Sequence, residues 1–236
     1  RKTVESLCRR EVWEFVPLAT NRGFGAGVNR GVAAAFAAGV EEVLVLNPDA
    51  HIGRTNIDLL SAALVDTPFA IASPRILDEE GKPWFSGADV YLSDGSTRGR
   101  AKRAQFPGSE RWEWLSGACV LIPRSVWDAV GGFDEEFFLY WEDVDFSRRA
   151  VIAGARLLLV DDATAWHDEG GTHRDAPERS RAKSNIYYYY NIRNRMLFAV
   201  RHLDEAGVRR WSRGSWRAAR EVLLRGGRRQ FLTSLK

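Results

Sequence analysis

Three carboxylates fall within four positions at Glu142-Asp143-Val144-Asp145, directly after an aromatic run that ends in Tyr140-Trp141. Like charges packed that closely repel one another, so folding alone gives little reason to gather them, and something cationic or proton-donating is expected opposite. Upstream, Gly131-Gly132-Phe133-Asp134 makes a tight turn that aims the aromatic and acidic residues at one place. The three acids open a helix, where the macrodipole favours the ionised form. One of them can act as a general base toward a hydroxyl. Asp145 lies one helical turn before Arg148 and Arg149 and is read as locally paired. That leaves Glu142 and Asp143 for chemistry.

Two more residues have ligand chemistry. Asp49 ends the apolar run Val43-Leu44-Val45-Leu46 through Asn47-Pro48-Asp49. Open α/β sheets place their ligands at such strand ends. A carboxylate there holds a hard divalent cation or closes an Asx turn; Asn47 offers an oxygen ligand or a turn hydrogen bond. His167 reads either as a structural histidine or as a metal ligand returning beside Asp49. With a carboxylate and phosphate oxygens it suits Mn²⁺, and Mg²⁺ less comfortably. Gly23, Gly25 and Gly27 are spaced by two, which misplaces the third glycine of a dinucleotide fingerprint. What remains is a flexible loop running into a helix N-terminus, an anion site.

The elements that must carry these residues alternate. A helix end is expected over residues 3–10, a strand from Val12 to Leu18 and an Ala-rich helix from about Asn29 to Ala38 that stops at Gly39. The run 43–46 reads as a strand buried on both faces. A helix capped by Thr55 or Asn56 follows to about Val65, then a strand from Phe69 to Ser73. Residues 78–110, polar and without periodicity, read as a long mobile excursion. Cys119 to Ile122 is a strand ended by Pro123, followed by a short helix capped by Ser125, a helix from Trp141 to Gly154, and a strand from Arg156 to Val160. The alternation predicts an α/β sandwich with a mostly parallel sheet.

Composition sets the bounds. The 236 residues are 45% hydrophobic and 28% charged, enough for one sizeable domain, with or without an appendage. Nine Trp is a surplus that suits stacking on sugars or bases, or an interface, although core filling accounts for most of them. Cys8 and Cys119 stand far apart without metal-ligand spacing, which fits a reducing compartment. No apolar run approaches the ~20 residues a membrane span needs, and no signal peptide is visible, so a cytoplasmic protein is expected. The net charge of +3 hides an asymmetry: from Arg201 onward nine Arg and one Lys against three acids give +7, leaving −4 for the first 200 residues.

Taken in order, Asn21-x-Gly23-Phe24 with Asn29, Leu46-Asn47-Pro48-Asp49, Ser116-Gly117-Ala118, Gly131-Gly132-Phe133-Asp134 and Glu142-Asp143-x-Asp145 resemble family-two glycosyltransferases of the GT-A fold. The likeness is to bacterial rhamnosyltransferase-like and galactofuranosyltransferase-like members, over roughly residues 10–200. It implies an inverting transfer of a sugar from a nucleotide-diphosphate donor to a hydroxyl of a saccharide or polyprenyl-linked saccharide, in cell-envelope polysaccharide synthesis. Asp49 would hold Mn²⁺ or Mg²⁺, with Asn47 in place of the family's commoner first Asp, and His167 would be the further ligand. Asp143 would be the base, and Glu142 and Trp141 would orient the acceptor. Trp114, Ser116, Gly117 and Ala118 would line the sugar pocket, and Asn21, Gly23 and Asn29 would serve the substrate site. Family members begin with two strands, one Thr-Tyr-Asn-like and one Asp-Asn-x-Ser-like, that hold the base and ribose. This chain starts after both, so no base-binding residue is expected within it.

Two further segments complete the reading. Four consecutive tyrosines, Tyr187 to Tyr190, cannot share one helix face, so some pack while others are exposed or contact a partner. Residues 201–236 form a basic amphipathic tail that suits an anionic membrane surface, which would place the protein at the inner face of the plasma membrane; a solvated or homo-oligomer-facing helix is the competing reading. Nucleic-acid binding is not expected, since no recognition motif accompanies the charge. The competing function is a non-catalytic GT-A-like module for saccharide binding or assembly.

Overall fold

The computed structural model describes residues 2–11, 13–168 and 185–216. Its first elements are α1 (Lys2–Arg10) and α2 (Phe24–Ala37). Residues 13–18, part of the expected strand from Val12, carry no ladder; Val12 itself lies outside the described residues. The expected glycine-rich loop is helix: α2 starts at Phe24, with Gly23 as its N-cap, and ends before Gly39, whose φ of 88° makes the predicted stop.

The central sheet is mixed, not mostly parallel. β1 (Glu42–Leu46) pairs antiparallel with β8 (Cys119–Pro123), and β8 pairs antiparallel with β3 (Ala70–Leu77). β3 runs parallel to β9 (Arg156–His167), and β9 is antiparallel to β2 (Ala50–Ile52). The order is β1-β8-β3-β9-β2, with β4 (Pro83–Phe85) antiparallel on β3. β1 is an edge strand, so only Val43 and Val45 are buried and the expected burial on both faces is not found; β8 is buried throughout. β9 extends seven residues past the predicted end. It shifts register against β3 at Pro74, where the missing N–H interrupts the ladder.

Helices cover the sheet. α3 (Arg54–Asp66) buries Leu60 and Leu64, one turn apart, against Ala70, Ala72 and Leu121. Neither Thr55 nor Asn56 caps it; Gly53 holds the N-cap, and the Asn56 side chain accepts the Thr164 N–H across to β9. α4 (Arg124–Val130) begins after Pro123 with no side-chain cap, so Ser125 does not serve as one. α5 (Glu142–Ile152) opens with the three acids.

The expected mobile excursion is a folded unit. β5 (Ala88–Tyr91) pairs with β6 (Thr97–Gly99) and β7 (Arg111–Trp114) in a second, three-stranded sheet, with a 3₁₀ helix over Arg100–Gln105. Polar contacts hold it. Fully buried Asp89 accepts two hydrogen bonds from Arg103, both at 2.7 Å, and the Arg98 guanidinium lies 4.4 Å from the ring centres of both Tyr91 and Phe106. α6 (Asn185–His202) and a helical stretch over 205–216 pack across this unit. Trp211, completely buried, donates to the Leu92 carbonyl and stacks on Phe198. The first part of the basic tail is therefore seated on the domain, with Trp216 exposed; residues 217–236 lie outside the described residues. Among the described residues no helix is long and apolar enough to cross a membrane.

Candidate functional site

The sheet ends, the N-terminus of α5 and the first turn of α6 enclose a cavity of about 370 Å³. Asn47 and Asp49 reach it from the turn after β1, His167 from the end of β9, Trp114 from the end of β7, and Ser116, Gly117 and Ala118 from the segment between β7 and β8. Trp141, Glu142 and Asp143 come from the N-terminus of α5. Residues separated by more than a hundred positions thus share one space.

His167 does return beside Asp49. Its Nε2 lies 3.2 Å from Asp49 Oδ1 and 3.2 Å from Asn47 Nδ2, and residue 167 pairs with Ala50 in the β2–β9 ladder, which fixes the approach. The Asn47 backbone N–H donates to the Ala118 carbonyl, tying that turn to the segment before β8. An imidazole nitrogen beside a carboxylate oxygen is a donor set suited to a borderline divalent cation. Among the described residues no group of three His, Cys, Asp or Glu side chains converges for a metal. The protein would supply two donors, and substrate or water oxygens the rest.

The three acids of α5 divide by environment. Asp145 is buried and accepts from Arg149 at 2.6 Å, as expected, and also faces His202 Nε2 at 2.7 Å. Asp143 accepts the Gly117 N–H on Oδ2 at 3.0 Å and the Val144 N–H on Oδ1 at 2.8 Å. Burial pushes its carboxyl up to about 6, opposed by those backbone donors. Glu142 is buried with Oε2 unpaired; burial first, then the neighbouring Asp143 charge, push it up to about 8. The macrodipole's preference for ionised acids is therefore overridden at these two positions, because loss of water costs the charged form more than the helix end returns.

Six buried side-chain nitrogen or oxygen atoms among the described residues have no hydrogen-bond partner, and three belong to residues lining this one cavity: Trp114 Nε1, Glu142 Oε2 and His167 Nδ1. Native interiors satisfy nearly all such groups. A concentration of them in one cavity is the mark of a site completed by a polar ligand.

Three sequence-singled residues do not line the cavity. Asn21 accepts the Gly23 N–H, and Asn29 staples the Phe133 backbone by accepting its N–H and donating to its carbonyl. Gly23 (φ 93°) packs so closely on the turn before α5 that a Cβ there would sit 2.1 Å from the Phe138 carbonyl oxygen. Their neighbour Phe24 does line it. Trp84, Thr97, Leu139 and Asn191 line it although the sequence does not single them out, and Tyr187 joins them from the tyrosine run. Trp84, from the excursion, lies 4.4 Å ring to ring from His167; Tyr187 packs edge-on against Tyr140; and Asn191 accepts from Trp141 Nε1 at 3.3 Å. Of the tyrosine run, Tyr190 stacks on Phe138 while Tyr189 is exposed. The surplus of Trp was the one signal for these walls: Trp84, Trp114 and Trp141 all face the cavity.

Known proteins resemble the chain over these same elements. Residues 98–185 match the family described as "Glycosyltransferase like family 2". A Mycobacterium tuberculosis protein, N-acetylglucosaminyl-diphospho-decaprenol L-rhamnosyltransferase, is 32% identical over 238 residues, covering 90% of this chain and 72% of that relative. A Haloferax volcanii protein, low-salt glycan biosynthesis hexosyltransferase Agl10, is 29% identical over 199 residues, 80% of this chain. The chain spans 61% of that relative's length. Among solved structures, GalNAc-T7 with UDP, GalNAc and Mn²⁺ superposes with a TM-score of 0.53 at 16% identity, over 80% of this chain and 39% of that one. The shared architecture is the GT-A fold.

Proposed function

This chain belongs to the family-two glycosyltransferases, and from that premise we propose that it catalyses an inverting, metal-dependent transfer of a rhamnose-like or galactofuranose-like sugar. The donor is a nucleotide-diphosphate sugar and the acceptor a hydroxyl of a saccharide or polyprenyl-linked saccharide, at the inner face of the plasma membrane. The observation that carries this is that one cavity is lined both by Asp49 with His167 and by Glu142 with Asp143.

Asp143 is the base. Its carboxylate takes the acceptor proton as the hydroxyl oxygen attacks the anomeric carbon from the face opposite the leaving nucleotide; the new C–O bond forms as the bond to the diphosphate breaks. The Gly117 and Val144 N–H groups fix the direction of that carboxylate, and a carboxyl held near 6 is largely ionised at neutral pH while remaining a stronger base than a free aspartate. Glu142, predominantly protonated at neutral pH, can donate as well as accept and orients the acceptor together with Trp141. A divalent cation held by Asp49 and His167 would offset charge on the diphosphate oxygens. Trp114 and the Ser116 to Ala118 turn form the wall for the sugar.

Asp143→Asn tests the assignment. Turnover should fall by about 10²–10⁴-fold, with donor binding measured by calorimetry unchanged. The wild-type kcat/KM should rise with pH through an apparent value of about 6. A variant that retains wild-type turnover removes Asp143 from the reaction.

A further inference from the structure

The turn leading into α5 is strained in an unusual way. Phe138, Tyr140 and Trp141 have φ of 58°, 66° and 75°, and they are the only non-glycine residues in that region among the described residues. Side chains carry a steric penalty there, and such residues persist only where surroundings over-determine the backbone. Their rings pack on α6, Phe138 on Tyr190 and Tyr140 on Tyr187, but one side chain holds the backbone itself. Asn194, fully buried on α6, donates through Nδ2 to the carbonyls of Phe137 (2.6 Å), Leu139 (2.8 Å) and Tyr140 (2.7 Å). Two N–H groups thus serve three carbonyls, all turned toward the same nitrogen. Arg193 Nη1 donates to Asn194 Oδ1 at 2.6 Å, which fixes the way the amide points. The remaining carbonyl, that of Phe138, faces the other way and accepts the Phe24 N–H at 2.8 Å, where α2 begins and Gly23 alone leaves room.

We infer that Asn194 is a positioning residue: it holds the turn 138–141, three of whose four residues have positive φ, so that Glu142 and Asp143 emerge into the cavity, and through the Phe138 carbonyl it sets the start of α2 in register with them. The assignment rests on the transferase reading for its catalytic consequence, and on the backbone geometry for the clamp itself. Asn194 touches neither substrate nor reacting atom. Its effect passes through three peptide groups. Glycine takes a positive φ without a side-chain penalty, so a turn carrying Gly at 138 needs less holding. This gives the clamp a signature that ordinary core filling lacks.

The test compares wild type, Asn194→Ala, Phe138→Gly and the double variant, with dTDP-L-rhamnose and Mn²⁺ as trial donor and a short-chain prenyl diphospho-N-acetylglucosamine as trial acceptor. Hydrogen exchange is followed by mass spectrometry on the same proteins. Asn194→Ala should lower kcat on the order of 100-fold while donor KM stays within about threefold, because the reacting groups are displaced and not removed. Exchange should quicken in peptides covering 137–145 and 22–27 and nowhere else. Adding Phe138→Gly should restore about tenfold of the lost kcat and slow the local exchange again. If Asn194→Ala fails to fold, the comparison is read on the Phe138→Gly background, where removing Asn194 should cost less than about threefold in kcat. An unchanged kcat, exchange that quickens throughout the domain, or a glycine that rescues nothing overturns the assignment. A wild-type chain that transfers no sugar at all defeats the transferase reading instead, and the clamp then stands or falls on whether exchange is local and reversed by the glycine.

Discussion

Replacing Glu142 by Gln should make the protein more stable at alkaline pH and nearly neutral in effect at acid pH. The Glu142 carboxyl is taken out of water with one oxygen unpaired and a second carboxyl beside it. In the unfolded chain this group ionises near 4.3, as any glutamate does; in the folded protein it does so at about 8. The folded state therefore holds a proton that the unfolded state has released. Stability from this source is complete below the unfolded value and is lost as pH rises through the folded one. Asp143 follows the same sign but finishes at about 6, so the interval from pH 6 to pH 8 belongs mainly to Glu142. One proton at ~1.4 kcal/mol per pH unit over that interval, less the part already released near the midpoint, amounts to about 2 kcal/mol. Glutamine has the same shape, keeps a donor and an acceptor, and cannot ionise. Urea unfolding of both proteins at pH 6, 7 and 8 measures the difference directly, and histidine titrations common to both cancel in the subtraction. The variant should gain about 2 kcal/mol on wild type between pH 6 and pH 8. A constant difference across that range would show that Glu142 is ionised in the folded protein, and would remove the neutral carboxyl from the acceptor-orienting argument.

The other perturbations probe Asp49 in the cavity and the start of α2 that packs on the turn before α5. Asp49→Ala should abolish the rise in melting temperature that Mn²⁺ with a nucleoside diphosphate gives the wild type, worth ~2.7 kcal/mol at a hundred times Kd; an equal rise in the variant would assign the metal elsewhere. Gly23→Ala should destabilise by more than about 2 kcal/mol, because the added carbon meets backbone at 2.1 Å and φ is 93°. Gly27→Ala, inside α2 with nothing within 4 Å, should instead stabilise by about 1 kcal/mol. Denaturation midpoints that move together in these two variants would contradict the Gly23–Phe138 contact.

How much of this was legible in the chain depends on what held each part in place. Asp49, His167 and the α5 acids stand out because they sit where strands and helices end, and ends are readable from apolar runs broken by Pro, Gly and charge. The direction of the strands was not readable in the same way. A continuous apolar run reports burial, not polarity, and β8, buried along its whole length, runs antiparallel to both its neighbours. The excursion was misread for a related reason: its order comes from Asp89 with Arg103, and from Arg98 between two rings, none of which has a period. Trp84 entered the cavity unnoticed along with it. Asn29 shows the opposite error, a polar residue in a suggestive motif that is used up on the Phe133 backbone.

The acids before and after Val144 make the same point from inside the site. By sequence only Asp145 is set apart, by its helical spacing to Arg148 and Arg149, while Glu142 and Asp143 stand as neighbours of one kind. In the fold each meets a different set of partners: Asp145 an arginine and a histidine, Asp143 two backbone N–H groups, Glu142 the other carboxyl and an unpaired oxygen. Helix geometry explains the division. Positions 142 and 143 point out of the first turn, where their neighbours are the cavity and the Gly117 turn, while position 145 is carried round to α6. The repulsion that first marked the cluster is therefore relieved at Asp145 by pairing and at Glu142 by retaining a proton. The unpaired charge is left on Asp143, the carboxylate held by two backbone donors and lining the same cavity as Asp49 and His167, which is the distribution the proposed base would need.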